Sequence, residues 1–150
     1  MDPYNHDQVQ AVWQRVLGKQ DRQMLPAELE EMIAGEHAAA MEYGRLARQN
    51  PRYAPTLQAI GRDERKHAHR LMTLYRLHWG QNPKPAAGVA REAVSFSAGI
   101  GNAYREELAA AENYRRAAEK WPEHRKLFRS IAADEQRHSQ ILYRIAANLP

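Results

Sequence analysis

The chain has 150 residues, 22 Lys and Arg against 18 Asp and Glu, 43% apolar residues and no cysteine, a balance that fits one globular domain, residues 1–150, with a single core. Without thiols there is no disulfide framework, thiolate metal site, iron–sulfur cluster or cysteine nucleophile. The formal charge of +4 is ordinary for a solvated surface and gives no ground for a nucleic-acid partner, and the polar N-terminus and lack of a long apolar run lead to the expectation of a cytoplasmic protein with no membrane span.

Ala, Glu, Arg, Gln and Leu dominate while β-branched residues are scarce, which predicts an all-α fold. Residues 1–24 form an N-terminal extension, in which Val9, Val12, Trp13, Val16 and Leu17 mark a short amphipathic helix over Asp7 to Leu17. Pro26 suits a first helical turn, and helix one runs to Gln49, where Asn50-Pro51 stops it. Helix two begins near Pro55 and ends at Gly80, closing a first hairpin over 26–80. Pro83, Pro85, Gly88, Gly99 and Gly101 mark 81–101 as a long crossover. Helix three runs from about Asn102 to Lys120, Pro122 restarts the chain, and helix four reaches about Asn148, so that 102–150 is a second hairpin.

Two short joints force antiparallel neighbours, whereas the middle joint is long enough to run the length of a bundle, since a helix of about 24 residues spans roughly 36 Å. Short, long, short connections therefore predict a four-helix bundle with one crossover. An internal repeat at an offset of 71 residues supports this. It carries Glu36 onto Glu107, Tyr43 onto Tyr114, Pro51 onto Pro122, Asp63-Glu64 onto Asp134-Glu135, and His67 onto His138.

On each helix the apolar stripe is interrupted by a glutamate: Glu36, Glu64, Glu107 and Glu135. Helices two and four add His67 and His138 three residues later, on the same face. Four buried carboxylates need compensating charge, and two divalent ions supply it, with neutral imidazoles completing the ligand sets. A Glu from each of two helices and Glu-x-x-His from the other two is the donor set of di-iron and di-manganese carboxylate bundles. The candidate ligands are thus Glu36, Glu64, His67, Glu107, Glu135 and His138, with Glu64 and Glu135 as bridges. The same four glutamates carry the chemistry. Asp63 and Asp134, four residues before His67 and His138, are placed to orient those imidazoles. Tyr43 and Tyr114, two turns beyond Glu36 and Glu107, are placed to bond the ligand glutamates. His6, His37, His69, His78 and His124 lack such a setting, and His37 and His69 turn away from the stripe to the surface. Trp13, Trp79 and Trp121, with Met24, Met32, Met41 and Met72, read as core or subunit-contact residues.

Ala34-Gly35-Glu36 with Ala39 and Tyr43, then Asp63 through Leu71, resembles the first hairpin of the rubrerythrin branch of the ferritin-like superfamily, and Ala133 through His138 resembles its last helix. The resemblance spans about residues 25 to 148. It implies a ferritin-like bundle with the six residues above holding two iron ions per chain, with manganese the alternative, and a homodimer. It also implies reaction of ferrous iron with peroxide or dioxygen. Two departures are visible. No cysteines for a rubredoxin-type electron relay are present, and Ala110 stands where the family carries a further glutamate. Electrons are then expected from a separate carrier. With the four glutamates neutralised, 22 basic residues face 14 acidic ones, which suits an acidic redox partner. The competing expectations are iron oxidation and storage of ferritin type, and a di-manganese catalase.

Overall fold

Pro26 sits in the first turn of α1 (Pro26–Gln49), where its missing N–H costs nothing, and the Glu28 carboxylate accepts the Leu25 N–H at 3.1 Å. The computed structural model describes residues 24–88 and 92–150, so the helix expected over Asp7 to Leu17 lies outside the described residues. Helix α2 (Ala54–Trp79) ends on Gly80, whose φ of 65° lets its N–H reach back to the Arg76 carbonyl. Ser95 caps α3 (Phe96–Lys120) by accepting the Ala98 N–H. A single 3-10 turn, Pro122–His124, leads into α4 (Arg125–Ala147). The described residues are helical throughout these segments and contain no strand.

Helix α1 packs chiefly on α2, and α3 on α4, giving two hairpins. The crossover starts beside the head of α1, where the Lys84 N–H donates to Glu30 at 2.7 Å. It finishes at the tail of α1, where Gln49 donates to the Val94 carbonyl. The connection therefore runs the length of the bundle. This makes α1 antiparallel to α3, as the Lys120–Glu28 pair at 2.5 Å confirms. One apolar cluster fills each end of the bundle: Leu29, Ile33, Leu71, Tyr114, Trp121 and Phe128 at one, Tyr43, Leu46, Leu57, Ile60, Ile100 and Leu142 at the other. The polar centre lies between them. The architecture is a ferritin-like four-helix bundle.

One boundary differs from the sequence reading. Helix α3 starts at Phe96 and not near Asn102, because Ser95 caps it there, and Gly99 lies within the helix where it allows a close approach. A Cβ there would stand 2.5 Å from Leu46 Cδ2, inside the buried core. Gly99→Ala is expected to destabilise the fold by about 1–3 kcal/mol through overpacking, seen as a lowered thermal midpoint with an unchanged helical signal.

Candidate metal centre

The glutamates that interrupt the four apolar stripes meet midway along the bundle. Glu36 from α1, Glu64 and His67 from α2, Glu107 from α3, and Glu135 and His138 from α4 are all buried, none more than 5% exposed. Their donor atoms form two sets, Glu36, Glu64, His67 and Glu135, and Glu64, Glu107, Glu135 and His138, with the atoms of each set within 4.8 Å of one another. Glu64 and Glu135 belong to both. The two sets are images of each other under the 71-residue repeat, so the bundle has an internal pseudo-twofold axis through this point.

Each imidazole turns Nδ1 inward. His67 Nδ1 lies 3.0 Å from Glu135, 3.4 Å from Glu36 and 3.7 Å from Glu64. His138 Nδ1 lies 2.9 Å from Glu64, 3.3 Å from Glu135 and 3.6 Å from Glu107. Despite this crowding, Glu36 Oε2, Glu64 Oε1, Glu135 Oε1 and His67 Nδ1 make no hydrogen bond and are sealed from solvent. Buried polar atoms left without a partner in this way are costly. Proximity without hydrogen-bond alignment is what results when lone pairs converge on a shared point and not on each other.

The outward Nε2 atoms are held by the aspartates, but across the bundle. His67 Nε2 meets Asp134 at 3.0 Å and His138 Nε2 meets Asp63 at 3.4 Å. The sequence reading paired each histidine with the aspartate four residues earlier on its own helix. Because α2 and α4 are antiparallel, with Arg70 facing Ser130, Asp134 stands level with His67 and Asp63 with His138. The tyrosines cross over likewise: the Tyr43 hydroxyl donates to Glu107 and the Tyr114 hydroxyl to Glu36. Helical side chains lean toward the N-terminus, so each phenol reaches back to the glutamate of the antiparallel neighbour. Burial, then the adjacent carboxylate, pushes both phenols well above their usual range, which keeps them as donors.

Arg137 escaped the sequence reading. Its guanidinium spans both outer carboxylates, at 2.8 Å from Asp134 and 3.4 Å from Asp63, while Lys66 adds a contact to Asp63 at 2.9 Å. The repeat contained the signal, since it carries Lys66 onto Arg137.

Protonation follows burial and neighbours. Burial, partly offset by His67, pushes Glu36 up to about 8, and burial opposed by His138 pushes Glu107 up to about 9. Burial alone would also raise Glu135, yet the facing imidazoles of His138 and His67 bring it down to about 2, and Glu64 is lowered in the same way. For His138 the carboxylates Glu107, Glu135 and Glu64 outweigh burial and lift it to about 12, and His67 is raised likewise.

A cavity of about 730 Å³ opens between α1 and α3, with Glu36, Glu64, Glu107 and Glu135 on its floor and Met32, Ala39, Ala110 and Trp121 among its walls. Ala110, where the resemblance called for a glutamate, leaves this side of the centre open. The remaining histidines stand apart: His37 and His69 are exposed, and His78 and His124 pair with each other at 2.7 Å near the bundle end. Met24 and Trp121 are buried and Met32, Met72 and Trp79 half-buried, while Met41 is exposed. His6 and Trp13 lie outside the described residues. Among the described residues no helix is long and apolar enough to cross a membrane.

Residues 27–146 match the family model described as Rubrerythrin. Among solved structures, the chain is similar to a hypothetical protein from Pyrococcus furiosus, with 25% sequence identity and a TM-score of 0.71 over 83% of this chain and 89% of that one. No curated protein matches the chain.

Proposed function

Because the chain belongs to the rubrerythrin family of ferritin-like domains, we propose that its six buried Glu and His residues hold two iron ions, and that the loaded protein reduces peroxide or dioxygen with electrons from a separate carrier. The observation that carries this reading is the pair of four-residue donor sets sharing Glu64 and Glu135, with buried oxygens and an imidazole nitrogen that have no hydrogen-bond partner. Four carboxylates balance two divalent charges, and oxygen and imidazole donors suit iron. Glu64 and Glu135, which belong to both sets, would be shared between the two ions, with Glu36 and His67 completing one set and Glu107 and His138 the other.

Two ferrous ions would supply one electron each, enough to cleave an O–O bond. The protein contributes placement. Asp134 and Asp63 fix the imidazoles with Nδ1 inward, and Arg137 fixes the aspartates. Tyr114 and Tyr43 hold Glu36 and Glu107 by a charge-assisted bond on the side where the cavity admits a small oxidant. Both phenols line that cavity, and with their single O–H donated to the glutamates, each phenolic oxygen keeps a lone pair to accept a hydrogen bond from peroxide.

The test is a titration of iron-loaded, anaerobically reduced protein with hydrogen peroxide. The expected result is one peroxide consumed per two ferrous ions, with a near-ultraviolet ferric band. Oxygen evolution without iron oxidation, or ferrous iron unchanged after excess peroxide, would contradict the proposed activity.

A further inference from the structure

Basic charge is divided unequally between the two sides of the bundle. Helices α2 and α4, which carry the histidines, hold ten Lys and Arg against only Asp63 and Asp134 besides the buried Glu64 and Glu135. Helices α1 and α3 hold six against seven glutamates besides the buried Glu36 and Glu107. The whole basic excess of these helices therefore lies on the α2–α4 side. Arg62, Lys66, Lys126, Arg137 and Arg144 are exposed there and Arg70 is half-buried. Helical spacing turns them toward the outer α2–α4 seam, where Arg137 meets Asp63 and Arg70 meets Ser130.

The same seam carries an unbroken chain of polar contacts from surface to centre. The half-exposed Arg137 touches Asp134 at 2.8 Å, Asp134 touches His67 Nε2 at 3.0 Å, and His67 Nδ1 faces the glutamates. A parallel route passes from Arg137 through Asp63 to His138. The opposite side offers the cavity and a glutamate-rich rim that includes Glu28 and Glu31.

We propose that the outer α2–α4 face is the docking surface for an acidic protein that carries single electrons, which enter through the His67–Asp134 and His138–Asp63 pairs while the oxidant enters from the α1–α3 side. This rests on the metal reading of the centre. Each encounter delivers one electron, so two reduced carriers return a ferric pair to the ferrous state and leave as two oxidised carriers, with no covalent bond made or broken. Complementary charge of this kind steers encounter and sets orientation.

The test uses reduced flavodoxin, a small acidic one-electron protein, as the probe and heparin as a polyanion without redox chemistry. Binding is measured on the full metal-free chain at low salt, and reduction is followed on the iron-loaded oxidised protein. The triple variant Arg62→Glu, Lys126→Glu, Arg144→Glu touches none of the centre's residues, and its circular dichroism and thermal midpoint report whether it folds. It is expected to weaken flavodoxin binding at least tenfold and slow reduction by flavodoxin at least tenfold, while reduction by dithionite stays the same. Glu119→Lys, exposed on α3 and outside the cavity lining, is expected to change neither by more than twofold. Equal binding and reduction in the triple variant and the parent would overturn the proposal, as would heparin binding tightly to the parent when flavodoxin does not. If no iron loads, the metal reading fails while the binding arm still decides the surface.

Discussion

Glu135→Gln is expected to leave the chain with almost no bound metal, whereas Glu36→Gln is expected to leave about one ion. Glu135 supplies oxygens to both donor sets and Glu36 to one. Loss of a shared anionic ligand therefore weakens both positions and leaves the two ions less shielded from each other, while loss of a terminal one spares the set built on His138. A second effect should accompany the first. In the metal-free chain His67 and His138 both lean on Glu135, and stripping the charge from a buried pair strands its partner at a cost of about 3–5 kcal/mol. The metal-free Glu135→Gln protein should thus melt well below the metal-free parent. Elemental analysis and thermal unfolding of the parent and both variants check this. Equal metal content in Glu135→Gln and Glu36→Gln would contradict the bridging assignment.

Metal binding is expected to be steeply pH-dependent. At pH 7 the metal-free centre holds Glu64 and Glu135 ionised, Glu36 and Glu107 protonated because their values lie at about 8 and about 9, and both imidazoles protonated. Two negative charges then face two positive ones, so the core stays neutral without metal. Two divalent ions can enter only by displacing these protons, so loading near pH 7 should release about four protons per chain. The sign follows directly: protons compete with metal, so affinity rises with pH, and one unit downward near neutrality weakens joint binding of the two ions by up to about four orders of magnitude. Above about pH 9 the two glutamic acids are already ionised, and the release should fall to about two. Calorimetry in buffers of different ionisation enthalpy measures the count. Release of fewer than one proton would contradict the assignment.

The convergence of six buried polar residues was legible in the sequence because a charged residue in an apolar stripe breaks a strong periodicity, and the exact repeat made chance an implausible cause. Glu36, Glu64, His67, Glu107, Glu135 and His138 converge as their spacing predicts. What the periodicity does not encode is which residues stand level on neighbouring helices. For that reason the partners of Asp63, Asp134, Tyr43 and Tyr114 proved to be on the other hairpin, and the periodicity does not single out Arg137. Gly99 misled for a related reason. A glycine reads as a break in a local pattern, yet here it serves a contact with Leu46, 53 residues earlier in the chain. The division of charge between the α2–α4 and α1–α3 sides likewise emerged only once the pairing of the helices was known.

The proposed function requires that this bundle hold two metal ions per chain. The most direct test is elemental analysis after anaerobic reconstitution of the metal-free protein with ferrous iron and removal of unbound ions. The two donor sets predict two irons per chain, lost together in Glu135→Gln. Less than about half an ion per chain, unchanged by a higher pH that should favour loading, would contradict it and leave the buried glutamates and histidines as a purely internal charge network.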